Sequence, residues 1–201
     1  MNIAVFCSGN GSNFQAIVDA SKKGLFDAKI VLMVCDNPKA FAIERAAKEG
    51  VKTYVLDKAA FSSKEKHEAE IIKTLEKENI GLICLAGYMR LLLPSFIQRY
   101  RNRIINVHPA LLPMFKGTHA IRDAIEHGAD ETGVTVHFVT EEMDSGPIIM
   151  QEKVKVEKND TEDLLAERIH KVEHRVYPEA IKLFVDGRLE IKDEKVTIKP
   201  A

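Results

Sequence analysis

Short apolar runs and longer amphipathic stretches alternate along the first half of this chain. Residues 3–7, 30–35, 53–56, 81–86 and 104–108 are apolar or β-branched and read as strands. Residues 12–23, 40–49, 64–78 and 94–101 lie between them and read as helices. In the third of these, Ile71, Ile72, Leu75 and Glu78 set apolar groups on one face and charges on the other. Strands without a polar face are buried on both sides, which parallel strands covered by helices achieve. Strand–helix alternation of this kind predicts βαβ units: an α/β, Rossmann-like, mostly parallel sheet with helices on both faces.

The rhythm changes after Gly117. A helix is predicted over 119–127, stopped by Gly128. Residues 133–139 and 148–156 read as strands separated by the segment 140–147. Asp160 is the predicted N-cap of a long helix with Leu165, Ile169, Val172 and Val176 on its inner stripe and a kink at Pro178. The tail, 188–199, is β-like with a turn at Asp193-Glu194. No repeat, low-complexity segment or Pro- or Ser-rich linker interrupts the chain, so residues 1–201 are expected to form one domain.

Composition narrows the function classes. With 29 Lys and Arg against 30 Asp and Glu, no global field points to nucleic acid or an anionic membrane, and any anionic ligand needs a local site. Cys7, Cys35 and Cys84 are widely spaced and form neither a disulfide framework nor a CxxC zinc motif; they read as small buried hydrophobes in a reducing compartment. The N-terminus lacks the basic region of a signal peptide, and no apolar run reaches the length of a membrane span. The expected location is the cytoplasm.

Ser8-Gly9-Asn10-Gly11-Ser12-Asn13 follows the first strand and opens the first helix. Glycines there let the backbone approach a ligand, and the free N–H groups and dipole of the helix start favour a phosphate. Gly9 and Gly11 fit a dinucleotide fingerprint and Asp36 follows the second strand, but Phe14 occupies the third glycine position. A single phosphate suits the motif better than a dinucleotide; a purely structural turn is the alternative.

Asn106 and His108, two apart in the fifth strand, point to the same side at the sheet edge where catalytic groups gather. Pro109-Ala-Leu-Leu-Pro113 then leaves the strand as a rigid, extended turn. Asp144 lies in a Gly- and Pro-flanked loop, and a carboxylate near His108 would favour its charged form. On the last helix, His170-Lys-Val-Glu173-His174 matches an inverted zincin pattern, but no third protein ligand is evident, so the expectation is no metal.

Together these segments resemble the folate-dependent phosphoribosylglycinamide formyltransferases of purine biosynthesis. The resemblance runs nearly end to end. It rests on Gly-Asn-Gly-Ser-Asn-Phe-Gln-Ala at the first turn, Leu85-Ala-Gly-Tyr-Met-Arg90, Asn106-Val-His-Pro-Ala-Leu-Leu-Pro113, residues 133–140 and Met143-Asp-Ser-Gly-Pro147. It implies the formyltransferase fold, with antiparallel strands in the C-terminal half. It also implies a phosphate-binding half, 1–100, and a catalytic, folate-facing half, 101–201. The implied co-substrate is 10-formyltetrahydrofolate and the acceptor is glycinamide ribonucleotide.

By the same resemblance, Asn106, His108 and Asp144 are catalytic, and Asn106 and Asp144 also face the folate. Gly11, Ser12 and Asn13 would hold the substrate phosphate and Glu173 the ribose hydroxyls. Met89, Arg90, Leu91 and Leu92 would wall the pterin pocket opposite Thr140 and Glu141. Lys64 would meet the donor's glutamate tail, where many relatives carry Arg, whose bidentate fork lysine lacks. The family acts on small molecules, without nucleic acid or membrane, as a monomer or homodimer. Three related activities remain alternatives: 10-formyltetrahydrofolate hydrolysis, and formyl transfer to methionyl-tRNA or to an amino sugar. A non-catalytic nucleotide-binding module would keep the glycine turn but leave Asn106, His108 and Asp144 unexplained.

Overall fold

The first strand, β1 (Asn2–Cys7), is buried along all but its first residue, because parallel neighbours flank it and helices cover it. The computed structural model describes residues 1–56 and 62–200, which gather into two units, Met1–Ile105 and Asn106–Ala201. In the first unit β1 is followed by α1 (Ser12–Lys22), β2 (Lys29–Cys35), α2 (Ala42–Glu49), β3 (Lys52–Val55), α3 (Lys64–Lys77), β4 (Ile80–Leu85) and α4 (Pro94–Arg99). The strands run parallel in the order β3-β2-β1-β4, in register at Cys7↔Cys35 and Phe6↔Leu85. The βαβ pattern expected from sequence is therefore what forms. Of these four strands, β3, at the edge, is the one that keeps both ends exposed.

β5 (Ile104–His108) begins in the first unit and ends in the second. After it come α5 (Ala120–Glu126), β6 (Glu131–Phe138), β7 (Ile148–Lys155), α6 (Glu162–Val185), β8 (Leu189–Lys192) and β9 (Lys195–Ile198). β6 and β7 pair antiparallel, as do β8 and β9. Asp193 and Glu194, both left-handed at φ 49° and 59°, make the tight turn of that last hairpin.

Two local expectations need correction. Thr161, not Asp160, caps α6: its hydroxyl accepts the Leu164 N–H at 3.3 Å. The Asp160 carboxylate is already engaged by the Glu157 N–H at 2.7 Å and by the Arg168 guanidinium. α6 spans Pro178, where the kink is expected, as one helix. Finally, residues 109–113 fold into bends and a turn rather than an extended segment, closed by the Met114 N–H on the Leu111 carbonyl at 3.0 Å.

Cys7, Cys35 and Cys84 are all buried. Burial pushes the Cys7 thiol up to about 12 and also raises Cys35. Thiolate is the reactive form, so a disulfide-exchange reagent at pH 8 should titrate no thiol in the native protein and all of them after denaturation. Rapid native labelling at Cys7 or Cys35 would contradict this burial. Among the described residues no helix is long and apolar enough to cross a membrane.

Candidate active site

In the first unit the strand order reverses at β1: β2 and β3 lie on one side and β4 on the other. Open α/β sheets bind ligands in the crevice outside the strand ends at such a switch point. The glycine turn follows β1 and the 86–93 loop follows β4, so both lie at that edge. They are stitched together. The Ser8 N–H donates to the Gly87 carbonyl at 3.0 Å, and the Met89 N–H donates to the Ser8 hydroxyl at 2.8 Å.

Gly11 caps α1 in the left-handed region, φ 75°, and brings no side chain to the first-turn N–H groups. A Cβ at Gly11 would stand 2.7 Å from the Ala42 Cβ, so the fold itself requires glycine there. A Cβ at Gly9 would meet nothing within 4 Å. Ser12 is half-buried and Asn13 buried beside the turn. No local pattern points to Arg45 at this place; its guanidinium donates to the Asn10 carbonyl and side-chain oxygen at 2.9 and 3.0 Å. Phe14 is fully buried where a dinucleotide fold keeps its third glycine, and Asp36 is only 7% exposed. Neither favours a dinucleotide.

On the 86–93 loop, Met89 and Leu91 are 64% and 67% exposed, while Arg90 and Leu92 are half-buried. Two large apolar side chains held out on a pinned loop are what an apolar ligand surface covers. Lys64 opens α3, and its Nζ lies 3.9 Å from the Glu68 carboxylate.

The second unit brings Asn106, His108 and Asp144 together around a residue the sequence reading missed, His137. Asn106 and His108 share one side of β5, as their spacing requires. Asp144 sits in the loop between β6 and β7 in the left-handed region, φ 51°, which Asp tolerates better than most residues. Its Oδ2 accepts the Gly117 N–H at 2.9 Å and lies 3.6 Å from His108 Nδ1; its Oδ1 lies 3.8 Å from His137 Nε2. The other His108 nitrogen, Nε2, faces the Phe115 carbonyl at 2.8 Å. An acceptor at each nitrogen is the arrangement that an imidazolium satisfies with both its N–H groups.

His137 is the complementary ring. Its Nδ1 lies 2.9 Å from the Phe138 carbonyl, an acceptor only, so that nitrogen carries the proton. Burial lowers its pKa, with the Phe138 carbonyl and the Asp144 charge pulling the other way. In the neutral ring Nε2 is bare, and the Asn106 amide donates to it at 3.2 Å. One N–H of Asn106 is thereby fixed, and the other can serve a further acceptor.

The 140–147 loop is held at its neck, where the Phe138 N–H donates to the Pro147 carbonyl at 2.9 Å. A Cβ at Gly146 would lie 1.8 Å from the Phe138 carbonyl oxygen, so backbone has to move to admit one. Gly146→Ala should therefore lower stability by about 1–3 kcal/mol and displace Asp144. Thermal unfolding and a turnover assay check both; an unchanged Tm with full turnover would refute the packing argument. Thr140 and Glu141 are exposed on the same loop, the Thr140 hydroxyl donating to the Glu142 carbonyl at 3.2 Å.

Glu173 is 3% exposed and lies on the inner stripe of α6 rather than off it, four residues after Ile169, while Val172 is half-buried. His170 Nδ1 meets its Oε2 at 2.9 Å, and that bond raises the His170 pKa. The His170 and His174 rings stack, centroids 6.3 Å apart. Among the described residues no group of three or more His, Cys, Asp or Glu is arranged to hold a metal ion.

Residues 1–181 match the formyl transferase family. The phosphoribosylglycinamide formyltransferase of Escherichia coli (strain K12) is 42% identical over 193 residues, covering 96% of this chain and 91% of that protein. Its namesake from Bacillus subtilis (strain 168) is 45% identical over 179 residues, covering 89% of this chain and 92% of that protein. The crystal structure of glycinamide ribonucleotide transformylase 1 from Symbiobacterium toebii superposes with a TM-score of 0.97 at 43% identity, covering 100% of this chain and 94% of that one.

Proposed function

Because the chain belongs to the formyl transferase family, we propose that it transfers the formyl group of 10-formyltetrahydrofolate to the amine of glycinamide ribonucleotide. The products are N-formylglycinamide ribonucleotide and tetrahydrofolate, in de novo purine biosynthesis. One observation carries the mechanism: a single carboxylate, Asp144, set against the rings of His108 and His137, with Asn106 oriented by the second ring.

The acceptor amine attacks the formyl carbon; a C–N bond forms and the carbonyl pair moves onto oxygen. The charge of a protonated His108 and the free N–H of Asn106 stabilise that oxyanion, which is where preorganised charges and donors act most strongly. As the intermediate collapses, the bond to the folate N10 breaks and N10 takes a proton, while the new ammonium loses one. Asp144 holds the His108 proton and relays the transferred one through water. Gly11, Ser12 and Asn13 bind the acceptor's phosphate and Glu173 its ribose hydroxyls. Met89, Arg90, Leu91 and Leu92, with Thr140, Glu141, Asn106 and Asp144, bind the pterin, and Lys64 binds the glutamate tail. Residues 1–201 act as one functional domain on small molecules, without metal, nucleic acid or membrane, in the cytoplasm as a monomer or homodimer.

The test is a spectrophotometric assay with glycinamide ribonucleotide and a 10-formyl folate, run with and without EDTA. Tetrahydrofolate release that depends on the amine and ignores EDTA is expected. Release without the amine would make the protein a hydrolase. No release would send the search for an acceptor to methionyl-tRNA and amino sugars.

A further inference from the structure

A carboxylate stands on the inner stripe of α3. Residues 64, 68, 71 and 75 fall on one helical face; Ile71 and Leu75 pack inward there, and Glu68 beside them is 4% exposed. A carboxylate is costly to bury unless it is hydrogen-bonded or paired. Glu68 is both. Its two oxygens accept the Leu93 N–H at 3.1 and 3.0 Å, and Oε1 lies 3.9 Å from Lys64 Nζ. Burial raises the Glu68 pKa, while the Leu93 N–H and the charges of Lys64 and Arg90 hold it down.

Leu93 is extended, φ −69° and ψ 150°, and serves as the N-cap of α4, just before Pro94, which has no N–H to offer. The Leu93 N–H is thus the last backbone donor before that helix. Glu68 ties down the downstream end of the 86–93 loop, as Ser8 ties down the upstream end. Between the anchored Met89 and Leu93 lie Arg90, Leu91 and Leu92.

We propose that Glu68 is a positioning residue for the formyl donor, fixing the 89–92 segment through the Leu93 N–H and Lys64 through its charge. This rests on the assignment of 89–92 and Lys64 to the folate. Glu68 touches neither substrate. Its removal acts on donor affinity and spares both the acceptor and the chemical step.

Glu68→Ala is expected to raise KM for 10-formyltetrahydrofolate about ten-fold, the scale of a lost charge-assisted hydrogen bond. KM for glycinamide ribonucleotide, and kcat at saturating donor, should stay within about two-fold, since neither site contains Glu68. Glu68→Gln keeps an acceptor for Leu93 and should bring the donor KM back to within about three-fold of wild type. Glu68→Asp keeps the charge but withdraws it by a methylene, and should resemble Ala; it serves if Ala does not fold. The Leu93 amide should exchange faster in Ala and Asp than in Gln. An unchanged donor KM in both Ala and Asp overturns the proposal, as does a parallel loss in both KM values and kcat.

Equilibrium binding of folic acid separates this idea from the proposed function. Wild-type protein that binds folic acid, loses that affinity in Glu68→Ala, and yet formylates no glycinamide ribonucleotide would sink the function and keep Glu68. Wild-type protein that binds no folate sinks both.

Discussion

His108→Ala is expected to lower kcat about 1,000-fold, the effect of removing a preorganised group that stabilises the oxyanion, with both KM values within about three-fold of wild type. The ring is buried, at 4% exposure, between the Phe115 carbonyl and the Asp144 carboxylate. Its surroundings therefore hold it for charge and direction rather than for contact with an apolar ligand. Alanine removes the charge and leaves the two acceptors facing a small void. Steady-state kinetics with each substrate varied in turn, on protein of verified Tm, make the measurement. A kcat within ten-fold of wild type would remove His108 from the chemistry.

Asp144→Asn should lower kcat about 100- to 1,000-fold with little loss of stability, because proton transfer and charge stabilisation are both affected. The amide oxygen can still accept the Gly117 N–H that the carboxylate accepts at 2.9 Å, so the loop keeps its anchor. What disappears is the negative charge facing both rings. The Asp144 charge acts to raise the His137 pKa against burial, so its removal lowers that pKa further and His137 stays neutral. The variant therefore tests His108 and the proton relay without recharging the ring that orients Asn106. Turnover near wild type would leave Asp144 a structural loop residue.

The parallel half of the fold was legible because its physics is local. Strands buried on both faces, such as β1 and β4, have to be apolar throughout, and the helices between them show their inner stripes. Boundaries were less legible where side chains compete. Asp160 and Thr161 are both good caps by composition, and the partners Asp160 finds in Glu157 and Arg168 decide between them.

In the site, Asn106, His108 and Asp144 stood out as polar groups at a strand end and in a glycine-flanked loop. His137 did not. β6 is buried along almost its whole length, so its polar residues follow no alternation that would separate them from core. The faint signal was Thr135 two residues earlier, a polar side chain on the same side of the strand, whose hydroxyl donates to the Ala110 carbonyl at 2.6 Å. Glu68 carried a clearer one, being a carboxylate in step with Ile71 and Leu75. Arg45 reaches Asn10 across 35 positions, which no local pattern reveals.

The glycine turn divides into a part owned by the scaffold and a part left free. Position 11 is locked to position 42: the two backbones meet so closely that neither residue can grow unless the other yields. A lineage drifting in sequence can change either one only through a coordinated pair of changes. Position 9 carries no such partnership. A library randomised at 9 and 12 would thus sample altered ligand preference on an intact scaffold, whereas one that includes 11 would mix loss of ligand with loss of fold in every clone.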